Sequence, residues 1–233
     1  MKSYGQFCPV AKAAELFCER WTPLIVRDLA FGASRFSELQ RGVPLMSPTL
    51  LSRRLKQLEA EGVVERRRSD TGKSWTYHLT TAGVEFVPLV ETLGVWGQRW
   101  SRRQLAEAEI DLGLLLWTLE RSVKANAFGK ERAVIHLHFS DQSSGKDRWW
   151  FVNYMDKCEL CLEDPGYEVD LYLTCSLPDM IYLVRGDLTL AAAMNTDRLD
   201  VMGITQMKKK LADWLNLSSL AQIKSNLAET AAV

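Results

Sequence analysis

At 233 residues the chain is long enough for two small domains, each with a modest core. Its 29 basic and 29 acidic residues cancel overall, but residues 1–105 hold 16 basic against 10 acidic, a net of +6, and the remainder holds 13 against 19, a net of −6, which joins a polyanion-facing first part to an acidic second part. An odd number of cysteines, no signal-peptide pattern over residues 1–10 and a longest apolar run of only residues 112–119 argue against a secreted or membrane-spanning protein and for a reducing cytoplasm.

After Cys8-Pro9-Val10, residues 11–29 carry Ala14, Phe17, Trp21, Leu24, Ile25 and Leu29 at helical spacing, and Pro23 requires a kink or a break between two shorter helices. Gly32 ends this pair. Phe36-Ser37-Glu38-Leu39 opens a short helix that stops near Gly42-Val43-Pro44. Ser47-Pro48, a capping hydroxyl followed by proline at the first helical position, predicts a helix running to about Glu61 and ending at Gly62. On it Leu51, Leu55 and Leu58 share a core stripe, whereas Thr49, Ser52, Arg53 and Lys56 form a basic, hydroxyl-bearing outer face. Residues 63–68 and 75–79 read as strands and residues 69–74 as the turn between them, a hairpin with a basic tip.

Short helix, tight turn, polar-faced helix and basic hairpin follow one another in the order of a winged helix-turn-helix. The second helix would enter the major groove with Ser47, Thr49, Ser52, Arg53 and Lys56 toward bases or phosphates, and Arg66, Arg67, Arg68 and Lys73 of the hairpin would lie along the neighbouring backbone. A solvated basic helix or a surface hairpin could account for any one piece; the ordered set points to double-stranded DNA.

The string Cys8-Pro9, Trp21, Phe36-Ser37-Glu38-Leu39, Leu51-Ser52-Arg53-Arg54-Leu55, Leu58-Glu59, Gly62-Val63-Val64, Tyr77-His78-Leu79-Thr80 and Gly83 resembles the HxlR family of bacterial winged-helix regulators over residues 2–103. The resemblance implies a cytoplasmic, nucleoid-associated homodimer, paired through the first helix and the helix after the wing, with recognition helices in successive major grooves of a near-palindromic operator. The chain departs from the family in the wing, where prolines are common and it has Gly72-Lys73-Ser74-Trp75. Cys8 sits where several such regulators sense oxidants or electrophiles, and a thiolate near a helix N-terminus is more reactive; the same cysteine also serves in the family as a packing residue. The helix after the wing, over residues 81–104, carries Phe86, Leu89, Leu93, Trp96 and Trp100 at spacings of three and four. Either a second copy or another element of the chain would cover that stripe.

Past a linker at residues 104–109, residues 110–128 predict an apolar helix with Leu112, Leu115, Leu116, Leu119 and Val123. Strands are expected over residues 133–139, 149–155, 157–163 and 168–175, divided by turns at residues 141–146, at Asp156 and at Asp164-Pro165-Gly166. Val169, Leu171 and Leu173 alternate with Asp170, Tyr172 and Thr174, the pattern of a half-buried antiparallel sheet. Cys158 and Cys161 have the spacing of a metal half-site, with His136 and His138 on one strand face. There is no second matching pair, and in a strand the three-residue offset turns the two sulfurs to opposite faces. A helix over residues 178–184 ends at Arg185-Gly186-Asp187, and a helix over Leu190–Asn195, a short strand over residues 199–202 closed by Gly203 and a helix over residues 205–216 follow.

That order of strands, helix, Gly-Asp, helix, short strand, Gly and helix is similar to the sterol carrier protein type two-like domain over residues 112–216, chiefly residues 170–215. The resemblance implies an apolar tunnel between sheet and helices. Candidates for its lining are Trp149, Phe151, Met180, Leu183, Met194, Met202 and Trp214, because methionine and aromatic side chains make adaptable apolar pockets; each would serve equally as plain core.

The expected fold class is α+β: an HxlR-type winged helix-turn-helix for DNA binding and dimerisation at residues 1–105, a sterol-carrier-like α/β sheet domain with helices at residues 110–217, and a C-terminal helix or tail at residues 218–233. The expected function is that of a dimeric, sequence-specific transcription regulator whose DNA affinity a hydrophobic small molecule modulates. The alternatives are sensing of oxidants or electrophiles through Cys8, and a lipid-carrier domain that merely travels with a DNA-binding module. No glycine-rich phosphate loop, Ser-His-Asp order or catalytic carboxylate cluster occurs, so no enzyme activity, catalytic residue, metal, cofactor or membrane partner is expected.

Overall fold

A computed structural model describes residues 3–69, 72, 74–101 and 103–226. The chain divides into two compact units, Met1–Gly94 and Val95–Val233.

In the first unit, α1 (Pro9–Phe17) and α2 (Thr22–Ala30) are separated by a turn that ends at Trp21, whose φ of 81° is left-handed. Pro23 therefore sits in the first turn of α2, where its missing N–H leaves no bond unmade. The short α3 (Phe36–Gly42) is fixed at its start by Glu38, whose carboxylate accepts from the Ser34 and Arg35 N–H groups at 2.8 and 2.9 Å. Next comes α4 (Pro48–Ala60), where the Ser47 hydroxyl accepts from the Leu50 N–H at 3.3 Å. Strands β1 (Val64–Arg68) and β2 (Trp75–Leu79) pair antiparallel with Val64 opposite Leu79 and Arg68 opposite Trp75. A bridge from Arg35 to Thr76, and a 2.7 Å bond from the Tyr77 N–H to the Ser34 carbonyl, add a short third edge to this hairpin.

The long α5 (Thr81–Trp100) starts where Gly83 lets it approach the hairpin: a Cβ there would lie 2.3 Å from the Val63 carbonyl oxygen. Phe17 of α1 stacks on Phe86 of α5. Ile25 and Val26 of α2, Leu39 of α3, and Leu51, Leu55 and Leu58 of α4 are buried in the core beneath.

The second unit opens with α6 (Leu112–Ser122), capped by Asp111 accepting from the Leu114 N–H at 2.7 Å. The single helix expected over residues 110–128 is broken: Val123 and Lys124 turn extended and the Lys124 N–H bonds the Trp214 carbonyl at 2.8 Å, before a separate 3₁₀ turn over Ala125–Phe128. Five strands follow as β3 (Arg132–Phe139), β4 (Arg148–Tyr154), β5 (Lys157–Cys161), β6 (Leu171–Cys175) and β7 (Leu199–Gly203), in the spatial order β5-β4-β3-β6-β7. Neighbours are antiparallel except β3 and β6, which are parallel. The expectation of an antiparallel sheet thus fails at its centre, because alternation reports which face is buried and is silent on strand direction.

Between β6 and β7 lie α7 (Leu177–Arg185) and α8 (Leu190–Asn195), and after β7 come α9 (Thr205–Lys209) and α10 (Leu211–Leu215). One helix was expected over residues 205–216; it breaks at Lys210, whose ψ of 3° leaves the helical range. The apolar sheet face (Ile135, Leu137, Phe151, Leu171 and Leu173) packs with helix residues into one cluster. Inside it, Asn153 donates to the Ala133 and Phe151 carbonyls at 3.1 Å each and accepts from the Trp214 indole N–H at 2.9 Å, so a buried amide ties α10 to the sheet with its bonds made. No described helix is long and apolar enough to cross a membrane.

Candidate nucleic-acid interface

The 3.6-residue period of α4 divides it into two faces. Leu51, Leu55 and Leu58 are fully buried, while Ser47, Thr49, Arg53 and Lys56 are exposed and Ser52 is half-buried. Arg53 and Lys56 have no ion-pair partner among the described residues. Their charges are therefore available to an external anion, and the positive end of the α4 dipole adds to them at Ser47 and Thr49. Ser47 has a second duty, since its oxygen caps the helix; its own proton remains to be donated.

The neighbouring Arg54 behaves oppositely. It is 8% exposed, with one guanidinium nitrogen 2.8 Å from the Glu19 carboxylate and another 2.7 Å from the Gln57 side-chain oxygen. One arginine thus fastens α4 to the turn between α1 and α2, while the preceding one is exposed.

In the hairpin, Arg66, Arg67 and Arg68 are all exposed, yet the strand pleat separates them. Arg67 is ion-paired with Glu65, two residues back on the same face. Arg66 and Arg68 lie on the other face, their guanidinium carbons 4.3 and 5.1 Å from the centre of the Trp75 ring. Arg66 also reaches Glu59 of α4 at 3.8 Å, and Arg68 donates to the Gly72 carbonyl at 3.3 Å. Lys73 lies outside the described residues. The sequence reading missed the roles of Arg54 and Trp75. Trp75 was accessible to it, since pairing the strands back from the turn puts the ring directly across from Arg68.

The seven residues expected to line a tunnel are not gathered around one cavity. Trp149, Phe151, Met180, Leu183 and Trp214 lie in the closed core, where Phe151 meets Trp214 edge to face at 5.6 Å and the Trp149 indole N–H bonds the Lys146 carbonyl at 2.8 Å. Met194 and Met202 are exposed, and Met202 pairs with Tyr172 on the outer side of the sheet. A groove of about 950 Å³ elsewhere in this unit is bordered by Lys124, Leu188, Leu190, Leu215, Leu217 and Ile223 among others, and by none of the seven.

Cys8 stands at the N-cap of α1, half-buried. Burial pushes the Cys158 and Cys175 thiols up to about 12 and raises that of Cys161. Cys158 pairs with Asn153 and Cys161 with Trp150, on opposite sides of the sheet. Among the described residues no group of three His, Cys, Asp or Glu could hold a metal ion.

The family described as HxlR-like helix-turn-helix matches residues 16–105, the segment that holds α2 to α5 and the hairpin. YvaP of Bacillus subtilis (strain 168), described as an uncharacterized HTH-type transcriptional regulator, is 38% identical over 98 residues, which are 41% of this chain and 91% of YvaP. The chain belongs to the HxlR-like helix-turn-helix family. The HTH-type transcriptional regulator YodB of the same organism is 32% identical over 95 residues, 40% of this HxlR-like chain and 85% of YodB. Among solved structures, the diamide-treated YodB from B. subtilis shows 32% identity with a TM-score of 0.34, covering 40% of this chain and 93% of that one. The redox regulator HypR in its oxidized form shows 28% identity with a TM-score of 0.39, covering 42% and 100%. DNA binding and transcription regulation belong to this HxlR-like chain through the matched segment.

Proposed function

We propose that the HxlR-like chain is a dimeric, sequence-specific regulator of the cytoplasm that reads a near-palindromic operator through α4 and responds to a hydrophobic molecule held by its second unit. The observation that carries the DNA reading is the outer face of α4, with Arg53 and Lys56 exposed and without an ion-pair partner among the described residues, opposite a fully buried leucine stripe. Ser47, Thr49 and Ser52 stand beside them as hydrogen-bonding groups, and the hairpin arginines extend the basic surface.

Dimerisation is supported by α5, where Val84, Leu89, Leu93, Trp96 and Trp100 are all exposed, and by Tyr4, Phe7 and Val10 around α1. A second copy would bury this surface. The effector is supported by two features of the second unit. The order β6, α7, Gly186-Asp187, α8, β7, Gly203, α9 is the one on which the sterol-carrier resemblance rests, and the 950 Å³ groove offers a leucine-lined surface with Lys124 at its border. A molecule reaching Met180 and Leu183 instead would have to open the α7–α8 layer, because the space they border is too small to hold even a water molecule.

Redox control through Cys8 is a second reading. Cys8 is partly accessible at a helix start, whereas burial holds the Cys158 and Cys175 thiols protonated near neutrality.

The test is to identify by native mass spectrometry whatever small molecule co-purifies with the chain, and to measure duplex affinity with and without it. A changed affinity supports the effector reading. Equal affinities would leave a lipid carrier that only accompanies a DNA-binding module, and failure to prefer any duplex sequence would overturn the regulator reading as a whole.

A further inference from the structure

Trp75 is a large apolar ring left 42% exposed on a two-stranded hairpin, and two guanidinium groups stack against it. We propose that Trp75 is a positioning residue of the wing: its ring holds Arg66 and Arg68 together as one two-arginine clamp for the DNA backbone, while Arg67 takes no part. The inference rests on the DNA-binding reading above and names the residues that perform its wing contact.

The geometry supports each part. Arg66 and Arg68 lie on one face of β1 two residues apart, where like charges repel; Arg68 is directly opposite Trp75 in the hairpin register. The negative face of the indole offsets that repulsion and fixes two long side chains that would otherwise sample many rotamers. A guanidinium held over the ring face still has N–H groups beyond those that meet Glu59 and the Gly72 carbonyl, and these can donate to phosphate oxygens. Each arginine has a second contact, Arg66 with Glu59 of α4 and Arg68 with the Gly72 carbonyl, so the clamp is set against the recognition helix and Gly72. Arg67 is on the opposite face and paired with Glu65.

The experiment measures binding of the full chain to a fluorescein-labelled mixed-sequence duplex by anisotropy over a range of salt concentrations. Trp75→Leu keeps an apolar side chain suited to a strand but removes the π-face, and is expected to weaken binding about 3- to 10-fold with the salt slope unchanged. Trp75→Phe should stay within about twofold of the unsubstituted chain. Arg66→Ala and Arg68→Ala should each lower the slope of log K against log salt by about 0.9, and Arg67→Ala should leave it unchanged. In the Arg66→Ala/Arg68→Ala background, Trp75→Leu should cost nothing further.

Unchanged binding by Trp75→Leu overturns the proposal, as does an equal loss for Trp75→Phe with its melting point intact. An undiminished Trp75→Leu effect in the background lacking both arginines would mean that the ring itself touches DNA, which also overturns it. If the unsubstituted chain binds no duplex, the DNA-binding reading falls first, and the two failures are told apart by that control.

Discussion

Arg54 is buried between Glu19 and Gln57 because α4 turns every fourth residue toward the core, and position 54 falls between Leu51 and Leu58 on that inward side. A charge so placed needs its partner. Arg54→Ala should therefore lower the stability of the winged unit by about 2 kcal/mol, read as a fall in melting temperature, whereas Arg53→Ala should leave the melting point alone. The same Arg53→Ala should weaken binding to a preferred duplex by about 1–3 kcal/mol and relax the sequence preference. Equal melting points for both variants would remove the anchoring role of Arg54. In the sequence the two arginines differ only by one step of helical phase. That phase was legible for Arg53 because the leucine stripe defines the opposite face. Arg54 stayed unread because its partner Glu19 is 35 residues away.

At the scale of elements, the features legible in the sequence were those with a strong local cause. Ser47-Pro48 announces α4, and alternation with a turn announces the hairpin. What stayed hidden depends on distant partners. The Lys124 N–H leaves α6 for the Trp214 carbonyl, and β6 returns beside β3 after two hairpin strands, which no local period encodes. Residue type suggests the expected lining, and type does not distinguish a tunnel wall from the core, where Phe151 and Trp214 pack together.

For α5 an apolar stripe is expected from spacing; in the structure Phe86 of that stripe stacks on Phe17, while Leu89, Leu93, Trp96 and Trp100 are exposed. If a second copy covers these four, Leu93→Glu should raise the dimer dissociation constant at least about tenfold in sedimentation equilibrium while the melting point of the monomer holds. A dimer of unchanged strength would place the interface elsewhere.

At the scale of the whole molecule, the net +6 of residues 1–105 and −6 of the rest fit a division of labour between polyanion binding and another task. The second unit should also respond to pH. His136 lies between Trp150 and Tyr172 on the outer sheet face, and burial first, then Arg148 and His138, holds its pKa below the ordinary 6.5. The folded form thus binds this proton less readily than the unfolded chain, so its contribution to stability is complete above pH 6.5 and is lost as pH falls through the lower folded value. Urea unfolding on either side of that pH should show the loss, and His136→Gln should reduce it; an identical pH dependence in the variant would assign the effect to other groups.

In the proposed function, the outer face of α4 reads base sequence in duplex DNA. The most direct test of this reading is selection of bound duplexes from a random-sequence pool by the full chain, followed by sequencing. The chain should enrich one motif with two-fold symmetry, and the Arg53→Ala/Lys56→Ala variant should enrich none while still binding duplex at low salt. No motif with the unsubstituted chain, or the same motif equally enriched by the variant, would contradict it.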